Sequence, residues 1–125
     1  AVTDVTGFGL AGHLLEVCKG SGVRATVNYA DLPLLPRASE FVDAGYVTGA
    51  SARNWASYGE GVRLAATLDN AAKTLVTDPQ TSGGLLVSCT PETVTEVLSL
   101  FLQQGFSHVS VIGEISDGEP GIDIV

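Results

Sequence analysis

The sequence predicts an α+β fold, and three observations carry that prediction. Apolar residues recur at helical spacing near the start of the chain, and residues 90–104 open with the start signals of another helix. Short β-branched or apolar runs bounded by turn residues, at 23–29, 85–89 and 109–115, read as strands. Helices and strands follow one another without a strict strand–helix–strand rhythm, which argues against a doubly wound parallel sheet.

Taken in order, residues 9–19 place Leu10, Leu14, Leu15, Val17 and Cys18 on a helical spacing, with Lys19 suiting the negative end of the helix dipole and Gly20-Ser21-Gly22 ending it. Residues 23–29 alternate as a strand. Pro33 and Pro36 break the connection into a helix over 37–44, which Gly45 stops. Residues 46–69 are the least regular stretch, because Gly49, Gly59 and Gly61 interrupt any long period, and a short helix follows over 69–73. After the strand at 85–89, Thr90 is placed to cap a helix over 90–104, with Pro91 and Glu92 in its first turn. The strand at 109–115, a turn at Asp117-Gly118 and a last strand at 122–125 complete the chain. No repeat, low-complexity tract or linker divides it, so residues 1–125 read as one domain.

A chain of 125 residues has the length of a single domain and can bury roughly two thirds of its unfolded surface. The net charge of −8, with only six scattered Lys and Arg residues, excludes a nucleic-acid-binding surface. Acidity of this kind is a solvated face that maintains solubility. Nothing reads as a secretory leader or a membrane-spanning run, so a soluble, cytoplasmic protein without a membrane partner is expected. Cys18 and Cys89 have no zinc-site spacing, and a single possible pair makes no disulfide framework. The absence of Met, an initiator included, fits an excised piece of a longer chain.

The chemistry concentrates in two glycine-containing segments. Thr3-Asp4-Val5-Thr6-Gly7-Phe8-Gly9-Leu10-Ala11-Gly12-His13 sets a carboxylate beside closely spaced glycines and then enters a helix-patterned run. Glycines let backbone approach phosphate oxygens, a helix start offers unpaired N–H groups, and Asp4 can hold the divalent ion that accompanies a nucleotide. Thr77-Asp78-Pro79-Gln80-Thr81-Ser82-Gly83-Gly84-Leu85-Leu86 repeats the recipe of acid, hydroxyls and paired glycines before an apolar run. Plainer structural roles compete. Asp4 can cap the following helix; Thr6, Gly7 and Gly9 can form a turn; His13 can serve as a half-buried partner to a carbonyl; and the second segment can be a fold-determining loop. Ser82 lacks the accompanying His–acid motif of a nucleophile. Gly7-Phe8-Gly9-Leu10-Ala11-Gly12 also matches the dinucleotide fingerprint, with Asp31 at a ribose-reading distance. That alternative requires a full hydrophobic strand before Gly7, where only six residues stand, and brings Asp4 toward a pyrophosphate.

TDVTGFGL followed by a small residue and GH, with DPQTSGGLL about seventy residues later, resembles the C-terminal half of selenophosphate synthetase (selenide, water dikinase) across essentially the whole chain. The wider superfamily includes aminoimidazole ribonucleotide synthetase. The resemblance implies a three-layer α/β/α domain with a mixed sheet, partly ferredoxin-like. It also implies a missing N-terminal ATP-binding domain carrying a reactive Cys or selenocysteine, a Lys and metal-binding Asp residues. The implied activity is that of the full-length, homodimeric enzyme: ATP-dependent phosphorylation of selenide to selenophosphate, with AMP and phosphate as the other products. By this likeness Asp4 would ligate Mg2+, and Thr6, Gly7 and Gly9 would contact nucleotide phosphate. Asp78, Thr81, Ser82 and Gly83 would lie near the active cleft. No catalytic residue falls within the chain, so it is expected to be inactive alone. A catalytically silent structural or dimerisation domain is the other alternative. Residues 48–54 depart from the family's PGGTxRN pattern: Thr48 replaces Pro and Ala50 replaces Gly, while Arg53 and Asn54 are retained and keep a polar role open.

Overall fold

The structure, a computed structural model, describes residues 1–125. Strand β1 (Val2–Asp4) pairs antiparallel with β4 (Leu85–Val87) in a two-stranded ribbon, Thr3 opposite Leu86. Strands β2 (Val23–Val27), β3 (Val62–Leu64), β5 (Gly113–Asp117) and β6 (Gly121–Ile124) form a separate four-stranded sheet in the order β3-β6-β2-β5. Within it β6 runs parallel to both β2 and β3, whereas β5 runs antiparallel to β2. With helices α1 (Gly9–Ser21), α2 (Ala38–Asp43), α3 (Gly49–Tyr58), α4 (Asn70–Thr77) and α5 (Val94–Gln103), the architecture is mixed α+β with a mixed sheet, as the sequence predicts.

The strand period of two decides which sheet face is covered. Ala25 and Val27 of β2, Val62 of β3, and Ile122 and Ile124 of β6 join Ala11, Leu14, Leu15 and Cys18 of α1 and Val76 of α4 in one core. Helix α1 therefore lies between the sheet and α4, and α3 packs in turn on α4 and α1. Helix α5 is amphipathic yet contributes no buried residue. No helix is long and apolar enough to cross a membrane.

The opposite sheet face is polar, and its centre is an ion pair. Arg24 grips Asp123 through two hydrogen bonds, Nε to Oδ2 at 2.5 Å and Nη2 to Oδ1 at 2.6 Å, and Arg63 Nε reaches Oδ1 at 3.0 Å. The Arg24 guanidinium holds the Asp123 carboxyl below its ordinary value, with Arg63 adding to the effect. A depressed carboxyl contributes stability that is complete above the unfolded-state value of ~4 and is lost as pH falls through the folded value. Denaturation of wild type and Asp123→Asn across pH should show the wild-type advantage at neutral pH shrinking below about pH 4. A constant gap would mean that the pair contributes nothing through ionisation.

Several elements differ from the sequence expectation for local reasons. The irregular middle folds into α3, a 3-10 turn (Gly59–Gly61) and β3. Its glycines flank the helix instead of interrupting it: Thr48 is the N-cap, accepting a bond from Ser51 N at 3.3 Å, Gly49 opens the helix and Gly59 closes it. Helix α4 extends to Thr77, capped by Asp69, which accepts from Ala72 N at 2.9 Å. Thr90 precedes a 3-10 turn (Pro91–Thr93), and its hydroxyl meets Thr93 Oγ1 instead of capping an amide. Strand β5 starts at Gly113, later than its apolar run, because pairing with β2 sets the register and Gly113 lies opposite Val27.

Candidate functional site

The two glycine segments meet, and backbone contacts stitch them together. Val5 N donates to Gly84 O at 2.9 Å, and Gln80 N donates to Thr6 O at 3.0 Å. Gly83 lies so close to the first segment that a Cβ built on it would stand 1.7 Å from the Val5 carbonyl oxygen. Gly9 adopts φ +69°, and a Cβ there would fall 2.7 Å from the backbone carbon of Thr77. Both glycines thus serve close approach of backbones.

Residues 6–9 form a tight turn closed by Gly9 N donating to Thr6 O at 3.0 Å. The Thr6, Gly7 and Phe8 amides have no acceptor within the chain, while the Gly9 amide is spent on the turn. Helix α1 begins directly after, its N-cap position held by Phe8 with no side-chain cap. Open amides and the positive end of a helix dipole therefore coincide. Asp4, exposed at the end of β1, does not cap this helix, and its carboxylate makes no hydrogen bond or ion pair within the chain. No cluster of three His, Cys, Asp or Glu side chains with metal-ligand geometry surrounds it.

Other side chains of the two motifs are already engaged. Thr6 Oγ1 lies 3.1 Å from His13 Nε2, and His13 Nδ1 lies 3.2 Å from Glu16 Oε2. His13 is therefore partnered by a hydroxyl and a carboxylate, not by a carbonyl. Thr77 returns its hydroxyl to Lys73 O at 2.8 Å. Asp78 Oδ1 accepts from Ser51 Oγ at 3.1 Å and Thr48 Oγ1 at 3.3 Å, so the divergent Thr48 both caps α3 and binds the second loop. Thr81 and Ser82 are exposed, and their hydroxyls have no partner in the chain.

Helix α3 supplies contacts that the motifs did not announce. The buried Asn54 donates from Nδ2 to Gly7 O at 3.0 Å and to Thr77 O at 2.9 Å, bracing both loops at once. One turn later Tyr58 donates its hydroxyl to Phe8 O. Burial pushes the Tyr58 phenol up to about 12, partly offset by the Gly12 backbone, so it stays a donor at neutral pH. The signal for these contacts was the i, i+4 spacing of Asn54 and Tyr58, which only a helix places on one face.

The dinucleotide alternative is not supported by this topology. Its fingerprint needs the preceding strand and the strand after the helix in one parallel sheet, whereas β1 pairs only with β4 and β2 lies in the other sheet. Asp31 accepts from Asn28 Nδ2 at 2.6 Å in a 3-10 turn instead of ending a neighbouring strand.

Residues 1–124 match the family model described as AIR synthase related protein, C-terminal domain. The chain belongs to that family. This AIR synthase-related domain is 79% identical over 125 residues to selenide, water dikinase of Dechloromonas aromatica (strain RCB), covering all of the chain and 36% of that relative. It is 55% identical over 125 residues to the protein of the same name from Paraburkholderia xenovorans (strain LB400), covering all of the chain and 35% of the relative. The domain thus spans about a third of the length of these curated relatives. Among solved structures it resembles thiamine-monophosphate kinase from Stenotrophomonas maltophilia K279a, with a TM-score of 0.60 over 99% of this chain and 30% of the other. At 18% identity that likeness concerns the fold alone.

Proposed function

We propose that this domain works as part of a selenide, water dikinase, which makes selenophosphate from selenide, ATP and water. The observation that carries the reading is the juxtaposition of the unpartnered Asp4 carboxylate with the open amides of Thr6, Gly7 and Phe8 at the uncapped start of α1. Its closeness to selenide, water dikinases over the whole chain supports the same assignment. The amides donate to nucleotide phosphate oxygens, and the dipole of α1 favours the negative charge there. Gly9 contributes by letting the turn dock on α4, and Gly83 by fixing Val5.

The donor set fits Mg2+ as one contributor among several: a hard carboxylate oxygen with no competing partner, in a chain that supplies no complete cluster. When bound, Mg2+ held in part by Asp4 would neutralise negative charge on the nucleotide phosphates. The remaining ligands, the selenium-handling nucleophile and the lysine come from the parent's N-terminal domain. Asp78 orders the second loop through Thr48 and Ser51, and Thr81 and Ser82 are left free to face the cleft.

The test is product analysis with the full-length protein. Supplied with selenide, ATP and magnesium, it should form selenophosphate, AMP and phosphate, read by phosphorus NMR. Conversion of ATP to ADP with no dependence on selenide would overturn the assignment.

A further inference from the structure

We infer that Asn54 and Tyr58 are positioning residues that hold the turn at residues 6–9 with the free Phe8 amide turned away from α3, toward the ligand. The inference rests on the phosphate-binding reading above and goes beyond it by naming the device that orients the loop. Side chains one helical turn apart on α3 donate to consecutive carbonyls, Asn54 to Gly7 O and Tyr58 to Phe8 O. Every peptide bond in the chain is trans, so each carbonyl and the N–H of the same peptide unit point in opposite directions. Holding the Gly7 carbonyl toward α3 turns the Phe8 N–H away from it, and holding the Phe8 carbonyl does the same for the Gly9 N–H, which then closes the turn on Thr6 O.

The Thr6 end of the turn is held by Gly9 N and Gln80 N, but no backbone bond holds the Gly7 carbonyl. Gly7 is exposed, with open space around its Cα, so its peptide planes are free to rotate when the clamp is lost. The clamp itself is well anchored. Asn54 is buried and bonded also to Thr77 O, and a Cβ on Gly12 would meet the Tyr58 ring at 2.9 Å, so the phenol is seated against α1. Tyr58 remains protonated through the physiological range and donates throughout it.

Two variants separate positioning from folding. Tyr58→Phe keeps the packing of the ring and removes one donor, so it carries the test of positioning; Asn54→Asp removes the other donor but also sets a buried carboxylate against the Gly7 and Thr77 carbonyls, so its binding is read only if it remains folded. In the full-length protein, calorimetric titration with magnesium and a nonhydrolysable ATP analogue should show affinity reduced roughly tenfold in Tyr58→Phe, with the melting temperature close to wild type. Amide resonances of residues 6–9 should shift in the same variant, while those of β2 and β6 stay in place. Asn54→Asp should weaken binding further, and the double variant should lose less than the product of the two single losses, because both act on one turn. Asp4→Asn run in parallel keeps the two ideas apart. If it loses magnesium-dependent binding while Tyr58→Phe and Asn54→Asp bind normally and remain folded, the clamp is wrong and the site stands. If Asp4→Asn also binds normally, the site itself is wrong.

Discussion

Replacing Gly83 by Ala is expected to disrupt the fold severely. The new Cβ would fall 1.7 Å from the Val5 carbonyl oxygen, and the obstructing atom is backbone, which cannot swing aside as a side-chain tip would. Relief requires moving residues 80–84 away from β1, which breaks Val5 N to Gly84 O and Gln80 N to Thr6 O and unseats the β1–β4 register. Overpacking against backbone falls at or above the upper end of the usual ~1–3 kcal/mol, a large part of the ~5–15 kcal/mol that holds a domain together. Thermal melting of the 125-residue chain should show a midpoint lowered by roughly 10 °C or more, or no cooperative transition at all. Gly84→Ala is the control: no atom lies within 4 Å of its added Cβ. Equal stability of wild type and Gly83→Ala would mean that the two loops are not in contact as described.

The second large effect is on activity and leaves stability alone. Asp4→Asn in the full-length protein removes a charge while keeping the shape, and the wild-type carboxylate makes no bond within the chain that the substitution breaks. Its melting temperature should therefore stay near wild type, as for surface substitutions worth within about 0.5 kcal/mol. Turnover should fall roughly 10²–10³-fold, the scale on which a transferring phosphoryl group depends on one organised electrostatic contact. The magnesium concentration giving half-maximal rate should rise as well. Normal turnover with normal magnesium dependence would reduce Asp4 to a surface residue at the end of a strand.

What the sequence by itself determined is local or periodic in origin. The helical spacing of Leu14, Leu15 and Cys18 places them on the buried side of α1 whatever lies opposite, and the Gly22 position ends that helix with a left-handed residue at φ +67°. The strand alternation of residues 23–27 likewise sets Ala25 and Val27 inward. The two glycine motifs were legible as special backbone, since so many glycines beside acids and hydroxyls signal turns or close approach. Which of those uses applied was not legible. Gly9 and Gly83 face backbone more than sixty residues away in sequence, and the distance between such segments is encoded only by the complete packing of α1, α4 and β4.

Tertiary structure likewise decided the middle of the chain. Read alone, Gly49, Gly59 and Gly61 weaken a helix, because glycine loses the most backbone entropy on ordering. In the folded chain α3 is retained by contacts that no local propensity contains: Ser51 and Thr48 to Asp78, Asn54 to Gly7 and Thr77, and Tyr58 to Phe8. The acceptors are carbonyls of the first loop and of the end of α4, and a carboxylate, which become neighbours of α3 only once α1 has packed against the sheet and α4 against α1. The sequence could name the residues of the candidate site, but the direction in which its amides face depends on hydrogen bonds between segments about fifty residues apart, and those exist only in the folded chain.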